Sequence, residues 1–268
     1  MDALEHAPSV HLADERVAVC GDWHGNLGWL RTLAPAVTRL APGVTTVLQL
    51  GDWWMDTQSS DQIFADAGIQ RVYVTLGNHE PWPWIVRLFD AYPGHAVRVS
   101  GVTWLLPRPA RLHIGGRDLL SLGGASSVDR AYRTEGRDWW AEEAITDEHV
   151  AEAIAGGTAD VMLTHESPSG TPVRAVREVL RTNPFGFPKD ALAESAASRD
   201  RVAHMWNTIR PSLLMHGHLH TPGGGMTADG RRVVSLGCDE QQGHLAFLDM
   251  QTLEIDAPSL RQIREAAR

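Results

Sequence analysis

Near the start of the chain, predicted short apolar strands alternate with helices, and this alternation restricts the possible folds. Runs of β-branched residues that stop at or near glycine predict strands at residues 16–21, 44–50 and 71–76. Leucines and valine at helical spacing predict a helix over residues 27–40, capped by Asn26, and a short helix follows at 61–67. About thirty residues separate successive strands, which is typical of right-handed βαβ units in a parallel sheet.

A polar motif follows each of these three strands. The motifs are Gly21-Asp22-Trp23-His24-Gly25, Gly51-Asp52 and Gly77-Asn78-His79-Glu80. Two later predicted strands, at 160–164 and 212–215, lead into His165 and into the segment His216-Gly217-His218-Leu219-His220. Ligands of open parallel sheets bind at the carboxyl ends of the strands, so these motifs are predicted to face one site.

The motifs contain a mixed set of nitrogen and oxygen ligands. The candidate metal ligands are Asp22, His24, Asp52, Asn78, His165, His218 and His220. Imidazole with carboxylate is typical of Mn, Fe, Zn or Co sites, because Ca and Mg prefer oxygen alone. Seven ligands exceed the three or four that one catalytic ion usually takes, and Asp52 has two oxygens with which to bridge. We therefore predict two divalent ions, with Mn favoured, and a hydroxide between them that attacks a phosphate ester.

The remainder of the chain is predicted to complete one domain. Hairpin strands are expected around Gly115-Gly116, a helix at 146–155, and strands at 232–236 and 244–250. The expected boundaries are an N-terminal tail at 1–15, a single domain at 16–256 with a helical insertion at about 167–210, and a C-terminal helix at 257–268.

Charge and composition limit the classes of partner. The 268 residues include 24 Lys and Arg against 33 Asp and Glu, and no basic runs occur. Extended nucleic-acid binding is therefore not expected, because it depends on many contacts between basic side chains and phosphates. We expect instead a small phosphorylated substrate, such as a nucleotide. The acidic start is unlike a secretory signal and no apolar window is long enough to span a membrane, so we expect a cytoplasmic protein. The oligomeric state cannot be inferred from the sequence.

The two cysteines, Cys20 and Cys238, are too few for a disulfide framework or a four-thiolate zinc site. We expect both to be small buried residues. Five tryptophans crowd the motif loops, namely Trp23, Trp53, Trp54, Trp82 and Trp84. They either pack against the core or stack on a nucleobase, and the sequence leaves both possibilities open.

The ordered set of motifs between Asp22 and His220 resembles the calcineurin-like metallophosphoesterases. The resemblance implies an α/β fold, a four-layer α/β/β/α sandwich of two mixed sheets flanked by helices. It also implies that Asp22, His24, Asp52 and His220 hold one ion, and that Asp52, Asn78, His165 and His218 hold the second. His79 would not be a ligand; it would contact the substrate phosphate and assist the leaving group as a general acid.

One departure concerns the phosphate-binding arginine. Protein Ser/Thr phosphatases of this superfamily continue the second motif with Asp-Arg-Gly, whereas here it runs into Trp53-Trp54-Met55-Asp56. A protein phosphatase is therefore not expected. Arg130 or Arg133, in a loop that begins with small residues, is a candidate replacement, so the predicted substrate contacts are Asn78, His79 and Arg130. The candidates for the acid that orients His79 are Asp56 and Glu80.

The leading hypothesis is hydrolysis of a phosphomonoester or phosphodiester by the bridging hydroxide, with His79 assisting departure of the leaving oxygen. Two other functions stay open at this point. One is a nuclease that acts on single strands or ends, and the other is a catalytically silent module that binds metal or a nucleotide.

Overall fold

A computed structural model describes residues 4–268 of the protein. The strands of this part of the chain form two mixed sheets. In chain order they are β1 (His6–Ala7), β2 (Val10–Leu12), β3 (Arg16–Cys20), β4 (Thr46–Gln49), β5 (Arg71–Val74), β6 (Ala96–Arg98), β7 (Thr103–Leu105), β8 (Ala110–Ile114), β9 (Arg117–Leu122), β10 (Val161–Thr164), β11 (Leu213–His216), β12 (Gly223–Met226), β13 (Arg232–Ser235), β14 (Leu245–Asp249) and β15 (Ile255–Asp256). The helices are α1 (Leu27–Leu40), α2 (Thr57–Asp66), α3 (Trp82–Ala91), α4 (Asp147–Ala155), α5 (Arg174–Thr182), α6 (Lys189–Ile209) and α7 (Leu260–Ala266).

Each sheet has a parallel centre with antiparallel strands towards its edges. The first has eight strands in the order β1-β6-β7-β5-β4-β3-β14-β15, and β3, β4, β5 and β7 run parallel. The second has seven strands in the order β12-β13-β11-β10-β9-β8-β2, with β9, β10, β11 and β13 parallel. The predicted βαβ repeat is thus the centre of the first sheet.

The two sheets pack face to face. Alternate residues of a strand point to opposite faces, so one face of each sheet contacts the other sheet. Val19 of β3 and Leu48 of β4 share one buried cluster with Leu163 of β10 and Met215 of β11. This cluster is the layer between the sheets. It supplies the main apolar burial that holds one sheet on the other.

The outer face of each sheet is covered by helices. Ala18 of β3 belongs to a second buried cluster with Leu30 and Leu33 of α1. On the other sheet, Met162 of β10 packs in a third cluster with Met205 of α6. The protein is therefore a four-layer α/β/β/α sandwich, as predicted.

Helix α1 has the predicted bounds, and the side chain of Asn26 accepts a hydrogen bond from the backbone N–H of Trp29 at 2.9 Å. Helix α2 begins at Thr57, four residues before the prediction, because Asp56 accepts from the backbone N–H of Ser59 at 2.7 Å and caps the helix there. Helix α3, which starts directly after the third motif, was not predicted.

The N-terminal segment was expected to be a tail, and this prediction was wrong for its described residues. Strand β1 pairs with β6 in the first sheet, and β2 pairs with β8 in the second. These strands have two and three residues, which is too short for an alternation of apolar and polar residues to be recognised in sequence. Within residues 4–268, no helix combines the length and apolar character needed to cross a membrane.

The candidate site lies where the parallel strands of both sheets end. Strands β3, β4 and β5 lead into the first three motifs, and β10 and β11 lead into the histidine motifs. Two sheets packed face to face therefore bring five strand ends to one edge of the sandwich, as expected for a ligand site at the carboxyl ends of parallel strands.

Candidate metal centre

Four of the predicted ligands form a tight group. One ligand atom each from Asp22, His24, Asp52 and His220 lies within 4.8 Å of the other three. Nε2 of His220 lies 2.9 Å from Oδ2 of Asp22, and Nε2 of His24 lies 3.7 Å from Oδ2 of Asp52. Both carboxylates are buried. Donors that share one ion at about 2.0–2.3 Å have this kind of spacing, so the group is chemically suited to a divalent metal.

The other oxygen of Asp52 faces the remaining predicted ligands. Nε2 of His165 lies 3.6 Å from Oδ1 of Asp52 and 2.9 Å from Oδ1 of Asn78. The ring of His218 lies 5.0 Å from that of His165, centroid to centroid, and its Nε2 is 3.9 Å from Glu166. The structure thus brings all seven predicted ligands together. Asp52 is the residue that lies between the two groups.

The backbone around these ligands is unusual. Four of the ligands have φ between 44 and 66°, namely His24, Asp52, His218 and His220. This is a left-handed backbone conformation that residues other than glycine rarely adopt. Such strain costs about 1–3 kcal/mol per residue and concentrates at functional sites. Gly51, at φ 103°, must be glycine because a Cβ there would lie 2.2 Å from Nδ1 of His165.

Hydrogen bonds orient the ligands from behind. Nδ1 of His24 lies 2.9 Å from Oδ1 of Asp239, and Nδ1 of His165 donates to the carbonyl of Leu50 at 2.6 Å. Each bond fixes the ring so that Nε2 faces the carboxylates. Asp239 was not predicted from the sequence, although it follows strand β13 in the same way that the predicted ligands follow their strands.

Asn78 is oriented by a buried chain of polar groups. Its Nδ2 donates to Oγ of Ser127 at 2.9 Å, and Oγ of Ser127 donates to Glu143 at 2.8 Å. The amide oxygen of Asn78 is thereby left facing Nε2 of His165. Ser127 and Glu143 were also missed, because nothing in their local sequence indicates that they meet Asn78.

Charges within the site shift the pKa values of its histidines. Burial opposes the charge of His24, but hydrogen bonds to Asp239 and Asp52 outweigh it and raise its pKa to about 10. Burial also opposes the charge of His220, while its contacts with Asp22 and Cys238 raise its pKa to about 11. In the absence of a cation these imidazoles are therefore protonated near neutral pH, and a metal must displace their protons.

His79 lies beside the metal ligands and contacts an arginine. Its backbone N–H donates to Oδ1 of Asp52 at 2.9 Å, and Nη2 of Arg133 donates to its Nε2 at 2.9 Å. Arg133 is held in place by Asp129 at 2.7 Å and by the carbonyl of Asp138 at 3.1 Å. Burial lowers the pKa of His79, Asp52 opposes this, and Arg133 adds to it. The imidazole therefore accepts from Arg133 as a neutral ring.

The other residues suggested around His79 lie elsewhere. Arg130 pairs with Glu194 at 2.6 Å and stacks over the ring of Trp139, so Arg133 is the arginine beside His79. Asp56 caps α2, and Glu80 accepts from the backbone N–H groups of Trp53 and Gly77. Neither acid orients His79. Besides Asp52, the carboxylate of Asp129 lies 3.9 Å from Nε2 of His79, and the sequence did not indicate this contact.

Two cavities border His79. One of about 310 Å³ opens over Asp52 and His218 and is walled by Phe185 and Phe187 of the loop between α5 and α6. The other, of about 400 Å³, is lined by Trp54, Met55, Arg133 and Arg137. Volumes of this size accept small organic ligands.

Trp54 is partly exposed, and its ring packs against His24 and His79 at centroid distances of 5.7 and 5.6 Å. Trp23, Trp53 and Trp82 are instead buried in the core.

Residues 15–222 match the pattern of a known protein family, described as Calcineurin-like phosphoesterase. None of the curated proteins compared with this chain matches it.

Among solved structures, a dimetal phosphatase from Danio rerio is similar, with a TM-score of 0.55 and 12% identity, over 91% of this chain and 96% of that one. The protein TT1561 of Thermus thermophilus is similar with a TM-score of 0.53 and 13% identity, over 92% and 99% of the two chains. At this identity the likeness concerns the fold. The match to the family covers most of the chain and includes every predicted ligand, and we conclude that the chain belongs to the calcineurin-like phosphoesterase family.

Proposed function

We propose that this protein is a hydrolase that cleaves a phosphomonoester or phosphodiester with the help of two divalent cations. The observation that carries the proposal is the place of Asp52. One carboxylate oxygen faces His24, and the other faces His165. A bridging carboxylate between two sets of nitrogen and oxygen donors is what a pair of catalytic cations requires.

The two ions would be held by this chain's own residues. The first would take Asp22, His24, Asp52 and His220, and the second Asp52, Asn78, His165 and His218. These donors suit Mn, Fe, Zn or Co, and Mn is the first ion to test. When bound, such ions supply a deprotonated water as nucleophile and positive charge for the phosphoryl oxygens.

His79 and Arg133 would act on the substrate. An entering phosphoryl oxygen would take over the hydrogen bond that Arg133 now donates to His79. This exchange would free Nε2 of His79 to hold a proton for the leaving oxygen. Arg133, fixed by Asp129, would replace the arginine that the Asp-Arg-Gly segment supplies in protein Ser/Thr phosphatases.

The substrate would be a small phosphorylated molecule, with nucleotides included. The two cavities beside His79 leave space on both sides of a phosphate, and the exposed face of Trp54 offers a stacking surface for a base. The chain's excess of acidic residues argues against a grip on long nucleic acid.

The test is turnover by protein stripped with a chelator and then reconstituted with Mn. We expect release of nitrophenol from para-nitrophenyl phosphate or its bis ester. Asp52→Asn should lose nearly all turnover, and His79→Ala about 10²–10⁴-fold, the usual contribution of a general acid. Arg133→Ala should raise KM, while the matched variant Arg130→Ala should not.

Full activity in both Asp52→Asn and His79→Ala would exclude the proposed reaction. Tight binding of a nucleotide without product, across several metals and esters, would favour the silent module instead. Cleavage of labelled oligonucleotides but of no small ester would favour the nuclease.

A further inference from the structure

A cysteine outside the predicted ligand set lies against the first metal group. The sulfur of Cys238 and one ring nitrogen each of His24 and His220 lie within 4.8 Å of one another. The same two histidines form the four-residue group with Asp22 and Asp52. Cys238 forms no disulfide and is 8% exposed. It therefore borders the site, unlike Cys20, which lies in the core cluster under α1.

The loop that carries Cys238 is fixed at the strand-end edge. The backbone N–H of Gly237 donates to the carbonyl of Gly243 at 3.0 Å, and that of Asp239 donates to the carbonyl of Asp22 at 2.9 Å. Asp239 in turn orients His24. The position of the sulfur is thus set by the same loop that sets the ring of His24.

Besides its contact with His220, the sulfur has a long hydrogen bond of 3.7 Å to the carbonyl of Asp239, the next residue. Two donors on opposite sides of one ion lie at most about 4.3 Å apart when sulfur binds at about 2.3 Å and nitrogen at about 2.0 Å. The sulfur and the two ring nitrogens lie within 4.8 Å of one another, which is close to the spacing of donors that share one ion. A thiol that coordinates a divalent cation is deprotonated.

We propose that Cys238 is a further ligand of the first ion through its thiolate. This inference rests on the two-ion site of the proposed function, but it makes the two positions chemically different. The first position has a sulfur donor beside two imidazoles and two carboxylates, and the second has nitrogen and oxygen alone. Thiolate is a soft ligand that Zn, Co and Fe(II) accept better than Mn does. The first position therefore prefers one of these softer ions.

The direct test is the absorption spectrum of the protein reconstituted with Co(II). We expect a sulfur-to-cobalt charge-transfer band in the near ultraviolet for the wild type. The band should be lost in Cys238→Ser and kept in the matched variant Cys20→Ala, with cobalt content measured in all three. Bound cobalt without the band in the wild type, or a band that persists in Cys238→Ser, would overturn the inference.

A second measurement needs no variant and decides the matter if Cys238→Ser fails to fold. X-ray absorption of the zinc-loaded wild type should show a sulfur scatterer about 2.3 Å from zinc, whereas nitrogen and oxygen scatterers alone would refute the inference. The two proposals fail in different ways. Absence of any bound metal contradicts the two-ion site, while bound metal without sulfur contradicts only the role of Cys238.

Discussion

Replacing Asp239 with alanine should weaken the first metal position without removing any predicted ligand. Oδ1 of Asp239 lies 2.9 Å from Nδ1 of His24, and its side chain is only 17% exposed. Hydrogen bonds to charged groups contribute about 1.5–3 kcal/mol, which corresponds to about 10–160-fold in affinity. Loss of a carboxylate behind a metal-binding histidine has a similar effect in general. Asp239 also raises the pKa of His24, so its removal makes protons compete less with the metal for that ring. Near neutral pH the net loss of metal affinity should therefore lie at the lower end of this range.

The assay is a metal titration of the chelator-stripped protein by calorimetry, in which two binding steps are resolved. In Asp239→Ala the step assigned to the first position should weaken about 10-fold or more at pH 7.5, and the other should change little. Glu240→Ala is the matched control, because Glu240 accepts from Asn26 at 3.2 Å but has no hydrogen bond to His24. If both variants bind metal as the wild type does, the orienting role of Asp239 is refuted.

Two further predictions concern the second position and the effect of pH. Ser127→Ala leaves the buried Nδ2 of Asn78 without its acceptor. The loss of this hydrogen bond costs about 1–1.5 kcal/mol, so metal binding at the second position should weaken about 5–10-fold. Calorimetry that shows weaker binding at the first position instead would contradict this. Because the pKa values of His24 and His220 are raised to about 10 and 11, metal affinity should keep rising between pH 6 and 9, with proton release detected in buffers of different ionisation enthalpy. The raised pKa values also mean that the two protonated rings stabilise the folded, metal-free protein. This stabilisation is fully present below their unfolded pKa of about 6.5 and is lost as the pH rises through the folded values of about 10 and 11. The urea midpoint of the metal-free protein should therefore fall as the pH rises from about 6.5 to 10.

The centre of the fold was predictable because local sequence and tertiary structure agree there. The apolar runs of β3, β4 and β5 stop at glycine, and α1 has a cap at Asn26 and a continuous apolar face. The edges were not predictable. Strands β1 and β2 are too short for periodicity, and β12 includes three glycines, which have no side chains to pack on a sheet.

The candidate ligands were found because each follows a strand end, which is a local signal. The residues that orient them come from distant parts of the chain. Asp239 meets His24 across 215 positions, and Arg133 meets His79 across 54. Such contacts exist only after the sheets have packed, so no local pattern indicates them. The choice between Arg130 and Arg133 depended in the same way on tertiary contacts, since Glu194 of α6 engages the first.

Whether two cations share Asp52 can be tested with an anomalous difference map of metal-loaded crystals. We expect two peaks about 3.5–4 Å apart, one on each side of the Asp52 carboxylate. A single peak, or two peaks of which neither contacts Asp52, would contradict it.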